Sequence, residues 1–167
     1  LLGAIQGIIT GFLLFHSSNN RRSNRFLAAL IWLISLASAN VYLETTGWYY
    51  SGTTIAIIHA LVPMVLIMPM GPLIYLYIKS SQDPYFSFSK KDRFHFLPVI
   101  VDLVPQITAI VFFVGVFSGA IEPNYKPWGN FIDHYNVYSD IPRWISLSTY
   151  VWMTQKYLAA LKGKDKG

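Results

Sequence analysis

Four side chains in this sequence combine chemical capability with an apolar setting: His59, Gln106, Arg143 and Asp102. An imidazole, an amide, a guanidinium and a carboxylate supply donors, acceptors and both signs of charge, which suits the wall of a polar binding pocket. They are poor material for a reaction centre. The sequence has no H-E-x-x-H, no G-x-S-x-G, no P-loop, no dinucleotide fingerprint and no paired carboxylates within an apolar run. It has no cysteine, and His16, His59, His95 and His134 are scattered without metal-ligand spacing. We therefore expect no catalytic residue, no metal, no cofactor and no enzyme; one would have to be built from Asp102 and His59 alone.

The elements that position these four are apolar. The chain of 167 residues is 53% hydrophobic and 13% charged, where a soluble domain carries roughly 25% charged residues. Such a deficit does not cover a water-facing surface. Crossing a hydrocarbon core of roughly 30 Å takes about 20 mostly apolar residues. Five segments qualify, at about residues 1–16, 24–43, 54–78, 94–118 and 138–161. The sequence thus predicts an all-α, polytopic transmembrane bundle over residues 1–161, with residues 162–167 opening a cytoplasmic linker. The apolar run from Leu1 reads as a span trimmed at its start, because no basic segment precedes it as in a signal peptide.

Charge orders the spans. Arg21, Arg22 and Arg25 fall between the first two; Lys79, Lys90, Lys91 and Arg93 between the third and fourth; Lys156, Lys162, Lys164 and Lys166 at the end. Eleven of the thirteen basic residues thus share one side, with only Lys126 and Arg143 elsewhere. By the positive-inside rule that side is the cytoplasm, the amino end is outside and the carboxyl end inside. These clusters also account for the net charge of +5 without nucleic acid. On the other side, Trp48, Tyr49, Tyr50, Tyr125, Trp128, Tyr135 and Tyr138 read as interfacial anchors.

Counting at about 1.5 Å per residue puts His59 and Arg143 roughly 8 Å, and Gln106 roughly 11 Å, below the outer face. Asp102 comes out roughly 12 Å above the inner face by the same count. The expectation is an outward-open pocket lined by His59, Gln106 and Arg143, with Asp102 below it. Two further features stand out. Gly3, Gly7 and Gly11 recur every four residues, a face for close helix packing, inside the bundle or in a homodimer. Pro63, Pro69, Gly71 and Pro72 interrupt the third span and predict a kink or a hinge, with Gly71-Pro72 loosening the helix midway.

The run Gly71-Pro72-Leu73-Ile74-Tyr75-Leu76-Tyr77 is followed by a basic loop and by His95-Phe96-Leu97-Pro98. This order, with Gly3-Ala4-Ile5-Gln6-Gly7 at the start and Asn24-Arg25 before the second span, resembles the membrane-bound AraC-type transcriptional regulators of Bacteroidetes. The resemblance extends from Leu1 to about Leu103 and more loosely beyond. It implies a polytopic sensor in the bacterial cytoplasmic membrane, about two further spans, and then a cytoplasmic helix-turn-helix domain. DNA would be a partner only through that domain, which residues 1–167 do not contain. The other implied partners are the lipid bilayer and an unidentified small-molecule or membrane signal. Two other classes fit the residues: an accessory subunit that binds a second membrane protein through the glycine face, and a transporter fragment built on the broken third span.

Overall fold

The computed structural model describes residues 1–164, and over these the chain is all-α, with no strand. Seven α-helices follow in order: α1 (Leu2–His16), α2 (Arg21–Thr45), α3 (Thr53–Leu61), α4 (Met70–Gln82), α5 (Lys90–Phe94), α6 (Ile100–Phe117) and α7 (Lys126–Lys164). Short 3-10 turns occupy Trp48–Tyr50 and Leu97–Val99. Two helical stretches, Arg21–Thr45 and Lys90–Phe117, are long and apolar enough to cross a membrane, and α1 is apolar but shorter. Only 11% and 22% of the two apolar windows are buried, the reverse of a core helix in a soluble protein.

The packing explains those figures. Many buried positions carry small or polar side chains, among them Ala4, Gly11, Ser23, Ala28, Ser35, Ala109, Gly115 and Ser139, beside a few large ones such as Leu73, Leu76, Phe86 and Phe112. Large apolar side chains such as Leu2, Ile9, Val114, Phe117, Ile141 and Trp144 face outward. Small residues let backbones approach closely enough for dispersion to hold helices together when apolar burial supplies little drive between them. The helices pack in the series α1, α2, α4, α7, α6 and α3, so that α4 sits between α2 and α7.

The glycine face is used inside this series. A Cβ on Gly7 would meet Ser35 Oγ, and one on Gly11 would meet the Trp32 indole of α2, whereas Gly3 faces open space. Trp32 completes the contact by donating its indole N–H to the Ile8 carbonyl at 3.2 Å.

Helix boundaries differ from the sequence expectations in three places. The third segment is two helices, α3 and α4, separated by non-helical backbone from Val62 to Pro69. Gly71 and Pro72 do not loosen a helix midway; they lie buried in the first turn of α4, where a proline costs no hydrogen bond. Gly71 is there for contact, since a Cβ would stand 2.7 Å from Tyr150 Cδ2 of α7. The fourth segment is interrupted by the 3-10 turn at Pro98. The last helix starts at Lys126 and takes in Lys162 to Lys164, which sequence reading assigned to a linker; Lys166 lies outside the described residues.

The connection after α4 is tied down. Ser89 caps α5 in a reciprocal arrangement, its hydroxyl accepting from the Asp92 amide while its own amide donates to Asp92 Oδ2 at 2.8 Å. Lys79 at the end of α4 reaches Asp92 Oδ1 at 3.2 Å. Arg22 of α2 donates to the Phe86 carbonyl, and Phe86 is buried beside Phe26. Burial alone would raise the Asp92 carboxyl, but hydrogen bonds from Ser89 and Lys79 outweigh it and hold it below its usual value.

Two outcomes follow from these contacts. Gly11→Leu should lower stability in detergent by about 1–3 kcal/mol through overpacking against Trp32, while Gly3→Leu leaves the unfolding midpoint unchanged; equal effects would contradict the placement of α1. The Asp92 contribution should be complete above pH 3.8 and lost as the pH falls through the lower folded value. Amide-exchange protection of the 83–92 connection, corrected for intrinsic rate, should therefore hold at neutral pH and drop in strong acid. Protection that does not change with pH would rule out the carboxylate as its source.

Candidate functional site

Breaking α3 from α4 strands backbone amides where helical partners are missing. Val62 still donates to Ile58, and Met70 donates back to the Ile67 carbonyl at 3.0 Å. Pro63 and Pro69 have no N–H to satisfy. The amides of Ile67 and Met68 both donate to Asp102 Oδ2, each at 2.6 Å. One carboxylate oxygen thus closes the turn that starts α4.

The other oxygen is held from α7. Arg143 Nε donates to Asp102 Oδ1 at 2.8 Å, and its Nη1 donates to Asp140 Oδ1 at 3.0 Å. The Asp102 side chain is 0% exposed and that of Arg143 13%, so this is a buried ion pair. A buried carboxylate is tolerable only when charge and lone pairs are both met. Two amides and a guanidinium meet them here.

A second tie joins the same helices. Pro105 lies inside α6 and has no N–H to offer the Val101 carbonyl four residues back. Tyr135 of α7 donates its hydroxyl to that carbonyl at 2.8 Å. Tyr135 and Arg143 are eight residues apart, on one face of α7, and they grip the adjacent residues Val101 and Asp102.

Above this floor lies a half-open cavity of about 580 Å³. Its wall includes His59, Gln106, Arg143 and Asp102, so the four residues singled out from the sequence come together. The unwound stretch contributes Val62, Met64 and Val65, in keeping with non-helical backbone occurring where it lines a cavity. Asp102 is bonded to Arg143 at the wall of the cavity. His59 does not point freely into the space: its ring stacks on Tyr49 at 3.7 Å between centroids. Tyr49 in turn donates to Asn40 Oδ1 at 2.9 Å, and burial together with the Glu44 carboxylate raises its phenol above the usual value, keeping it a donor.

Several wall residues escaped sequence reading. Asn40 and Glu44 come from the last turns of α2, and Asp133 and Asn136 from the first turns of α7. The 40/44 and 133/136 spacings are helical neighbours, but the second pair lay in a segment read as loop. Tyr135 could have been found from Pro105, since a helical proline always frees the carbonyl four residues earlier.

The residues of the quoted motifs meet elsewhere, where α4 packs on α7. Tyr75 lies against His95, Tyr150 and Tyr157, with centroids 5.8, 6.3 and 6.4 Å away. The Tyr150 hydroxyl is 2.9 Å from His95 Nδ1. Tyr77 is partly buried, as are Phe96 and Pro98, and Phe96 packs on Phe88. Among the described residues no group of His, Asp and Glu side chains could hold a metal ion. No known protein family, curated protein or solved structure matches this chain.

The ion pair makes a checkable demand. Arg143→Met, which leaves Asp102 buried and unpaired, should cost about 3–5 kcal/mol. Adding Asp102→Asn to it should recover part of that loss, since the stranded charge is gone. Chemical unfolding of the single and double variants in detergent measures the coupling; strictly additive losses would mean that the two side chains do not interact.

Proposed function

We propose that this chain is the membrane-embedded sensing portion of an AraC-type one-component transcription regulator in a bacterial cytoplasmic membrane. In this reading five segments cross the bilayer, α3 and α4 forming the two halves of one discontinuous span. The amino end is outside and the carboxyl end inside, as the basic clusters ask. DNA binding belongs to a helix-turn-helix domain joined beyond Gly167, and no catalysis is involved.

The observation that carries the reading is that the wall of the cavity and the anchor of α4 share the same residues. Asp102 and Arg143 line the cavity and also hold the start of α4. A molecule entering the cavity shifts the position of α4 only if it binds one arrangement of that pair better than another. α4 meets α7 through Gly71, Tyr75 and Tyr150, and α7 leads to the carboxyl end. The likeness of Gly71–Tyr77 and His95–Pro98 to the regulator family supports the same assignment.

The discontinuous helix also favours a second reading, since secondary transporters build substrate sites from unwound spans. The absence of an internal repeat in the sequence weighs against it. The accessory-subunit reading loses most of its contact face, because Gly7 and Gly11 already pack on α2.

The reading frame beyond Gly167 should encode an AraC-type helix-turn-helix, and reporter fusions should place the Arg21 and Lys90 turns in the cytoplasm and the Trp48 turn outside. A stop codon shortly after Gly167, or the Arg21 and Lys90 turns on opposite sides, would overturn the assignment.

A further inference from the structure

A second, shallower recess lies at the end of α2 away from the cavity, between its first turns and the connection that follows α4. It has a volume of about 370 Å³ and is lined by Arg22, Arg25 and Phe26 of α2 and by Phe86, Ser87 and Phe88. Both guanidiniums are held in place by the chain. Arg22 donates one N–H to the Phe86 carbonyl, which leaves most of its fork of five donors for a ligand. The Arg25 guanidinium carbon stands 5.1 Å from the centroid of the Phe15 ring of α1. Among the described residues neither arginine enters an ion pair.

No carboxylate answers this charge from within the recess. The two acids of the neighbouring connection are committed elsewhere, Asp92 to Lys79 and Ser89, and Asp83 to the Tyr85 amide. Guanidinium forks match phosphate oxygens in geometry as well as in charge. The floor indicates what the phosphate is attached to. Phe26 packs against Phe86 and Phe88, with centroids 6.1 and 5.8 Å away, and Phe88 is still 43% exposed. Three residues along α1 from Phe15, Phe12 is 58% exposed. A free phosphate gains nothing from such surfaces, whereas acyl chains do. Both arginines also lie on the side that the basic clusters assign to the cytoplasm, where basic pockets between helices take anionic head groups.

We infer that the recess seats an anionic phospholipid of the inner leaflet, its phosphate between Arg22 and Arg25 and its acyl chains along Phe88, Phe26 and the α1 face at Phe12. The choice of leaflet rests on the topology of the sensor reading; the binding chemistry does not, since affinity in detergent is independent of how the chain is inserted. Lys90, Lys91 and Arg93 are exposed and basic but do not line the recess. They add attraction to an anionic surface without selecting a molecule from it. A lipid held this way bridges α2 to the connection between α4 and α5, beside the bond from Arg22 to Phe86.

The test uses the whole chain in maltoside detergent, with bound lipid counted by native mass spectrometry. Dioleoyl phosphatidylglycerol is titrated beside phosphatidylcholine of the same chains and soluble glycerol 3-phosphate. Phosphatidylglycerol should saturate a single site, and the other two should not. Arg25→Gln should weaken it about fivefold, and Arg22→Gln with Arg25→Gln about thirtyfold. Lys91→Gln with Arg93→Gln removes as much charge and should leave the affinity nearly unchanged. Because Arg22 also holds Phe86, the Arg25 variant is the one whose unfolding midpoint without lipid should match the parent. Equal losses in the two double variants, full affinity in Arg25→Gln, or phosphatidylcholine bound as tightly, would overturn the site. Glycerol 3-phosphate bound as tightly would make the occupant a soluble phosphate and overturn the lipid. No saturation by any of the three, in a preparation that unfolds cooperatively, also overturns the inference and leaves the sensor reading standing. Reporter fusions that reversed the topology would overturn that reading and the choice of leaflet, not the site.

Discussion

A single carboxylate sets the conditions for the rest of this fold. Asp102 accepts two amides from the backbone that precedes α4 and a guanidinium nitrogen from α7, and it stands on α6. Three elements distant in sequence are joined at one side chain with no measurable exposure. A broken helix in an apolar setting is expensive unless its freed groups are satisfied, and a buried charge is expensive unless it is paired. Each problem here solves the other. The unwound backbone supplies donors that the carboxylate requires, and the carboxylate supplies the acceptor that the unwound backbone lacks.

The same economy shows in the proline at position 105. It frees the Val101 carbonyl, one residue from Asp102, and α7 answers with Tyr135. Together the two ties join α6 to α7 beside the packing of the buried Phe112 on Trp128. Polar bonds thus supplement apolar contact at this seam. Contacts of that kind hold helices together where the surroundings are as apolar as the side chains facing them.

Much of this was legible beforehand, and the limits have physical reasons. Apolar run length and low charge pointed to helices, and depth counting brought His59, Gln106, Arg143 and Asp102 into one region. The four do share a cavity wall. The helix ends were read less well. Pro72 looks like a breaker in sequence, yet in a first turn it is neutral; the break lies just before α4, along the eight residues Val62–Pro69. The start of α7 was missed because Lys126–Val137 is too polar to register as a span, although it is helical. That error hid Asp133 and Asn136. Pairings such as Ile67 with Asp102 join backbone to side chain across thirty-five positions, and no local pattern encodes them.

The position of α4 gives these details a common direction. Its start is fixed by Asp102, and its last turn is fixed by Lys79 on Asp92. Between them run thirteen residues, a rigid rod of about 20 Å. Both carboxylates belong to the stretch from Lys90 to Phe117, so one continuous segment holds α4 at its two ends. Gly71 brings α4 onto Tyr150 too closely for even a methyl group to intervene. A rod held this way does not bend by degrees; it moves when one end is released. The end that borders the cavity is held by charge and two backbone amides as well as by the close contact of Gly71 with Tyr150, and charge is the contact that an entering cation or anion perturbs most directly. A change in the cavity would therefore be expressed first where α4 packs on α7, at the Tyr75, His95 and Tyr150 cluster.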